Sequence, residues 1–319
     1  MKCVVIGGSG FVGFRLIKEL QPTWDVINLD KADNGSLDSI THMMDVRDLD
    51  SFKHHMQGVD TVVLLAAEHR DDVSPTSLYY DVNVLGTQNV LAAMDIHNVR
   101  NIVFTSSVAI YGLDVKNPPL ESNPPNPFND YGHSKWEAEK LIQQWIDKDK
   151  SRSALVLRPT VIFGEGNRGN LFNLMNQIYT GKFVMIGDGR NKKSMAYVGN
   201  VVSFIAYMLK DKWTGMQIFN YVDTPDFDMN TLVSEVYRHK GTPMPRFRIP
   251  YGFGLMAGRI FDTAAAITGL KLPVSSIRVK KFCATTLVDA SKLEGTQFVR
   301  PSTLTEGLQK MLDTEYRSN

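Results

Sequence analysis

Cysteine is nearly missing: only Cys3 and Cys283 occur in 319 residues. Zinc ligands come in closely spaced pairs, which two distant thiols cannot supply, so both read as reduced thiols in a reducing compartment. His54-His55 also lack partners at ligand spacing, and no metal is expected. Charge of one sign is missing too. The 35 Lys/Arg nearly balance 34 Asp/Glu, a formal net of +1, so no bulk attraction to nucleic acid or to a membrane is expected. The first apolar run, 3–6, is short and ends in glycines, unlike a secretory leader. No uncharged apolar run approaches the ~20 residues needed to span a bilayer. There is no repeat of ~20–50 residues and no low-complexity tract. What is present is a chain with 43% hydrophobic residues, long enough for one large α/β domain or two modest ones.

The first half alternates short β-branched runs with helical patterns. Strands are expected at Lys2–Ile6, Asp25–Leu29, Thr61–Leu65, Asn101–Thr105 and Ala154–Leu157, and helices at Phe11–Leu20, Val84–Met94 and Ser134–Asp147. Such alternation implies a parallel sheet covered on both faces. Beyond about Arg158 the pattern fades, Pro and Gly become frequent, and aromatic and Met residues cluster. The reading is a nucleotide-binding domain over 1–165, to which 194–212 returns. A smaller substrate-binding domain is expected from 166–193 and 213–319.

Gly7, Gly10 and Gly13 follow the first strand and open a helix. The first permits a sharp turn, the second lets backbone approach a pyrophosphate, and the third lets the helix pack on the strand. Diphosphate would rest on the free N–H groups at the helix N-terminus, around Phe11 and Val12. Asp30 ends the second strand, where a carboxylate can accept hydrogen bonds from an adenosine ribose; it would repel a 2′-phosphate, which favours NAD over NADP. Asp45 and Val46, after a third strand, are placed beside the adenine.

Tyr131 and Lys135 lie four residues apart at the start of a helix and share one face. A phenol titrates near ~10, too high for a base at neutral pH; a neighbouring ammonium favours phenolate. Lys135 can also hold the nicotinamide ribose. A hydroxyl from Ser106 or Ser107, at the carboxyl end of a strand, would bind the substrate oxygen, since ligands gather at that end of open α/β sheets.

Taken together these residues resemble the extended short-chain dehydrogenase/reductases, in the NAD-dependent epimerase/dehydratase family. The family's glycine motif matches Gly7, Gly10 and Gly13; its strand-end pair matches Ala66-Ala67; its N-x-x-G-T-x-N matches Asn83 to Asn89. Its S-S-x-x-x-Y-G matches Ser106 to Gly112, its Y-x-x-x-K matches Tyr131 and Lys135, and later segments match Arg158 to Gly164 and Asp289 to Lys292. The resemblance implies a Rossmann-type doubly wound parallel sheet with a smaller C-terminal α/β substrate-binding domain. It implies bound NAD contacting Ala66, Ala67, Asn83, Ser106 and Pro159 besides the residues above. It makes Ser107, Tyr131 and Lys135 the catalytic set, and it suggests a homodimer.

A 4,6-dehydratase of this family carries carboxylates just before the Tyr-Gly of the strand-end motif. Here Val108-Ala-Ile110 stands there, which argues against dehydration and leaves 4-epimerase or 4-ketoreductase. A non-catalytic NAD sensor would not need Ser107, Tyr131 and Lys135. Three stretches, Ala66 to Asp72, Lys193 to Gly199 and Val274 to Thr286, resemble bacterial epimerases that interconvert N-acetylglucosamine and N-acetylgalactosamine on undecaprenyl diphosphate, for surface polysaccharide synthesis. Lys193 stands where nucleotide-sugar epimerases carry an arginine, whose planar fork suits a nucleotide diphosphate better. By resemblance Glu68, Ser107, Asn170, Lys193 and Arg278 touch substrate, and Thr286 leaves room beside sugar C2. An epimerase on the UDP-linked sugar is the alternative substrate. Between Arg238 and Lys292 ten Lys/Arg stand against two Asp/Glu, a net of +8 in a chain of net +1, leaving −7 elsewhere. Within that region Pro250–Gly269 is mostly apolar. Such a stretch suits an anionic membrane surface, a core or a dimer interface. The expected location is cytoplasmic, with peripheral contact on the inner membrane as an option.

Overall fold

The structure is a computed structural model that describes residues 1–33, 35–70, 73–112, 117–211, 213–268 and 275–316. Asp71, Asp72, Gly269 and Val274, which the sequence reading singled out, lie outside these, as does Lys271, one of the ten cations between Arg238 and Lys292. The elements in chain order are β1 (Lys2–Ile6), α1 (Phe11–Leu20), β2 (Asp25–Asp30), β3 (Thr41–Met43), β4 (Thr61–Leu64), α2 (Ser77–Tyr80), α3 (Gly86–Ile96), β5 (Asn101–Thr105), α4 (Asp130–Asp147), β6 (Ser153–Pro159) and β7 (Val161–Phe163). There follow α5 (Asn170–Tyr179), β8 (Met185–Ile186), β9 (Lys192–Tyr197), α6 (Val198–Met208), β10 (Gly215–Tyr221), β11 (Asp223–Asp228), α7 (Met229–Lys240), β12 (Arg248–Ile249), α8 (Tyr251–Thr268), α9 (Ser276–Cys283), α10 (Ser291–Glu294) and α11 (Leu304–Tyr316).

The chain divides into two compact units. The first comprises Met1–Ile162, Ala196–Val222 and Val288–Thr303; the second comprises Phe163–Met195, Asp223–Leu287 and Leu304–Asn319. In the first unit seven strands form one parallel sheet in the order β10-β6-β5-β4-β1-β2-β3. Strand order reverses between β1 and β4, the switch point where such sheets bind ligands. Alternate strand residues Val4, Ile6, Val62, Leu64, Ile102, Phe104, Ala154 and Val156 are buried in one cluster with Val90, Met94, Ala138, Ile142 and Trp145 of α3 and α4. Two faces buried under helices explain why these strands read as continuous apolar runs. α1 and α6 pack against one another within this unit.

The domain expectation differs from these units at two places. Residues 213–222 were placed in the substrate-binding part, yet 215–221 pair along all of β6 as the edge strand of the large sheet. Residues 288–303 also belong to the first unit, where Asn200 Nδ2 donates to Ser302 O at 2.8 Å and Arg300 to Val222 O at 3.0 Å. In the second unit β11 runs antiparallel to β9, and β12 pairs parallel with β8. There α7 carries its own start and stop signals. Asp228 accepts from Thr231 N at 2.7 Å at its N-cap, and Gly241 closes it in the left-handed region.

Candidate active site

Gly7 turns the chain at the end of β1 with φ 88°, and a Cβ there would lie 2.5 Å from Ala66 N. Side chains are thus excluded at the switch point, where Ala66 and Ala67 follow β4. A Cβ on Gly13 would meet Gly7 O at 2.4 Å, so α1 starts close against the strand it follows. Gly10 caps α1 without a side-chain bond, leaving the N–H groups around Phe11 and Val12 without a side-chain cap. Asp30 accepts from Ser9 N at 2.9 Å and Ala32 N at 3.1 Å, which holds the glycine loop to the end of β2 and leaves acceptor capacity on an ionised carboxylate. Ser106 Oγ is buried and has no hydrogen-bond partner among the described residues; Pro159 is buried at the end of β6. Bare backbone, an uncapped helix start, a strand-end carboxylate and an orphaned hydroxyl fit a dinucleotide. Asp45, expected beside the adenine, is paired with Arg47 (2.6 Å), which holds its carboxyl below the usual range. Val46 is buried, and its carbonyl accepts from Asn89 Nδ2 at 2.9 Å.

The residues expected to carry the chemistry sit on two neighbouring pieces of the same unit. Ser107 ends the β5 loop and accepts from Ala109 N at 3.1 Å, starting a short 3₁₀ turn over Val108–Tyr111. α4 begins with Asn129 as N-cap, accepting from Gly132 N at 2.9 Å. A Cβ at Gly132 would lie 2.7 Å from Ala109 O, so only a glycine lets the first turn of α4 meet the turn that Ser107 caps. Tyr131 is half-buried in that first turn, its ring 6.3 Å from that of Tyr79. Lys135, one turn later, is buried with its Nζ 4.4 Å from the Phe104 ring centroid. Burial pushes its ammonium down to about 7, against a smaller opposing pull from Glu139.

Asn83, expected at the cofactor, uses its amide inside the protein. It sits in a π-helical turn, Asp81–Leu85. It accepts from Glu68 N (2.8 Å) and donates to Glu68 O (3.0 Å) and Ser134 Oγ (2.9 Å). Ser134 Oγ in turn donates to Tyr131 O at 2.8 Å. One buried amide therefore joins the loop after β4 to the first turn of α4. The Glu68 carboxylate is held at about 2, chiefly by a two-point pair with Arg70 (2.8 and 3.0 Å). Neither oxygen of Glu68 is without a donor.

A second buried network escaped the sequence reading. Arg158 of β6 forms a fork with Glu139 of α4, at 2.6 and 3.0 Å, with side chains 3% and 0% exposed. It also donates to Tyr111 OH at 2.7 Å, and Tyr111 OH donates to Asn220 Oδ1 of β10 at 2.7 Å. Asn220 N reaches Glu121 Oε1 at 2.7 Å. The signal for this network was Glu139 itself, a carboxylate between Ala138 and Ile142 on the core face of the helix; a buried carboxylate requires a cation.

The three remaining predicted substrate residues belong to the second unit. Asn170 is exposed at the first position of α5. Arg168 beside it pairs with Glu315 and lies over the Phe172 ring at 4.3 Å, so its charge is already answered. Lys193 on β9 donates to the carbonyls of Lys281 (2.8 Å) and Ala284, and burial lowers its pKa to about 8. Arg278 is exposed on α9, whose N-cap is Ser275. A groove of about 820 Å³ in this unit is lined by residues that include Gly187, Arg248, Tyr251, Lys280 and Cys283.

The model of the NAD dependent epimerase/dehydratase family matches residues 3–220. The N-acetyl-alpha-D-glucosaminyl-diphospho-ditrans,octacis-undecaprenol 4-epimerase of Escherichia coli O157:H7 is 54% identical over 98% of this chain and 95% of that protein. The UDP-glucose 4-epimerase of Vibrio cholerae is 27% identical over 99% of this chain and 96% of its own. The solved UDP-glucose 4-epimerase of Thermus thermophilus, in complex with NAD, superposes with TM-score 0.76 at 20% identity, covering 98% of each chain. The chain therefore belongs to the NAD dependent epimerase/dehydratase family, and its cofactor is NAD.

Proposed function

We propose that this chain is a 4-epimerase that interconverts N-acetylglucosamine and N-acetylgalactosamine on undecaprenyl diphosphate, serving the synthesis of bacterial surface polysaccharide. The observation that carries this reading is the 54% identity, over 98% of the chain, to a protein named for that lipid-linked substrate. When bound, NAD supplies the acceptor and donor of hydride at sugar C4. Tyr131 takes the C4 hydroxyl proton and later returns it. Lys135 favours its phenolate, because a desolvated ammonium gains from an adjacent anion. Ser107 hydrogen-bonds the C4 oxygen while the sugar is a ketone. Asn83 and Ser134 hold the turn that carries Tyr131. Lys193 and Arg278 suit the substrate diphosphate, with Asn170 as a polar contact and Glu68 at the sugar. The protein acts as a homodimer at the cytoplasmic face of the membrane, where a lipid-linked substrate resides. Two free cysteines fit that compartment.

The test uses purified protein without added reductant, given UDP-N-acetylglucosamine or the undecaprenyl-diphosphate form in detergent. Epimer from the lipid-linked form alone is expected. Conversion of the UDP form alone overturns the substrate, and stoichiometric loss of added NADH with a keto-sugar identifies a ketoreductase instead. Tyr131→Phe is expected to keep bound NAD and to lose turnover by roughly 10²–10⁴-fold; unchanged turnover removes Tyr131 from the mechanism.

A further inference from the structure

Among the described residues, α8 is packed on one side only. Gly254 and Gly258, four residues apart, mark the packed side: a Cβ at Gly254 would lie 2.6 Å from Ile186, and one at Gly258 would lie 2.8 Å from the backbone of Ser276. Asp262, the helix's one carboxylate, accepts from Ser276 N at 3.1 Å. Glycine contacts bring the helix tight against α9 and β8. A different face carries Phe253, Met256 and Ile260, at spacings of three and four, exposed by 63%, 55% and 63%. Phe247, 71% exposed, precedes the helix, and Ile277 of α9 is also exposed. Exposed apolar side chains grouped this way mark an interaction surface rather than the scattered Leu or Val of an ordinary exterior.

The surrounding charge selects the partner. Arg246, Arg248, Arg259 and Lys280 are all exposed in this region, within the segment whose net charge is +8. A second copy of the chain would bring the same positive charge to the contact, whereas an anionic bilayer complements it. No helix among the described residues is long and apolar enough to cross a membrane, so α8 would lie in the interface plane, apolar side chains among the acyl chains and basic ones at the headgroups. The groove described above is lined by Pro250 and Tyr251, at the start of α8, and by the cations of Arg248 and Lys280; a diphosphate held at headgroup depth suits it.

We propose that the Phe253–Met256–Ile260 face of α8 is the surface by which this protein docks on an anionic membrane leaflet. Its purpose rests on the lipid-linked substrate proposed above, but its test does not. Full-length protein is mixed with vesicles of phosphatidylethanolamine and phosphatidylglycerol, or of phosphatidylcholine alone, and bound protein is measured by flotation. Binding to the anionic vesicles is expected, at least tenfold weaker to phosphatidylcholine and at least tenfold weaker for the F253S/M256S/I260S variant. The variant should retain its thermal transition and its turnover of a short-chain prenyl-diphosphate sugar in solution. Independently, Phe253→Trp should shift its emission to the blue when anionic vesicles are added, and Arg246→Gln with Arg259→Gln should weaken binding in a salt-sensitive way. Absence of vesicle binding by the wild type, or equal binding by the triple variant, overturns the docking surface. A triple variant that turns from dimer to monomer with vesicle binding intact assigns the face to a second copy. Vesicle binding together with turnover of the UDP-sugar alone would refute the substrate and leave the docking surface standing.

Discussion

Lys135 and Lys193 are both lysines with lowered proton affinity, one in each compact unit, and their surroundings are opposite. Lys135 is buried against an aromatic ring, one turn from a carboxylate that Arg158 already neutralises. Lys193 is half-buried and rests on two carbonyls at the end of α9. The first arrangement keeps an ammonium short of compensating charge, which in the proposed mechanism is what favours a phenolate at Tyr131. The second satisfies the ammonium and leaves it near solvent, which suits contact with an anionic substrate. On the proposed function, charge in the first unit is held for chemistry and charge in the second for recognition.

The largest effect that would break this contrast comes from Lys135→Met. Turnover should fall by roughly 10²–10⁴-fold, yet the cofactor-stripped protein should become more stable. The ammonium titrates at 10.5 in the unfolded reference and at about 7 when folded. Between these values the unfolded chain binds more protons, so stability rises with pH from about 7 to 10.5. Below about 7 the full penalty remains, on the order of 5 kcal/mol. Urea titrations from pH 6 to 10 should show that rise in the wild type from about pH 7, and in the Met variant only the smaller rise above about pH 8 that Lys193 contributes. A Met variant less stable than wild type at pH 6 would mean that Lys135 is compensated after all.

Next in size is Arg158→Met, which leaves the Glu139 carboxylate buried and unpaired. Removing one partner of a buried pair costs about 3–5 kcal/mol, whereas E139Q combined with R158M should recover much of the loss. Calorimetry on the single and double variants measures it. A single variant within about 1 kcal/mol of wild type would show that this network does not hold α4 in place.

These residues also mark where the sequence was legible. β1, α1 and β5 appear at their expected limits because a glycine turn, a 3.6-residue apolar period and a β-branched run each leave a local signature. That Tyr131 and Lys135 lie one turn apart on a single helix was legible because helix geometry fixes what lies four residues away. The Arg158–Glu139 pair joins residues 19 apart and the Asn83–Ser134 bond residues 51 apart, and no local pattern announces such partners. β10 was misplaced for the same reason: its place beside β6 depends on a chain that leaves the first unit at 162 and returns to it at 196.

The smallest expected effect tests the other side of the contrast. Lys193→Gln removes a cation but keeps an amide that can donate to the carbonyl of Lys281 or Ala284, so the C-terminal end of α9 stays capped. If Lys193 serves recognition, KM for the lipid-linked sugar should rise about tenfold, about 1.4 kcal/mol, with kcat within about twofold, the pattern of lost uniform binding. The sign of the pH dependence follows from a pKa lowered to about 8: the cation is present below that value and lost above it. Wild-type KM should therefore climb as pH passes through 8, while the Gln variant, already uncharged, should show no such climb. Lys193→Met separates capping from recognition, since it leaves both carbonyls without this donor. If Met lowers the melting temperature while Gln restores it, and neither changes KM, Lys193 is only a clasp between β9 and α9 and the second unit must recognise its anion elsewhere, at Arg278 or in the groove of Arg248 and Lys280.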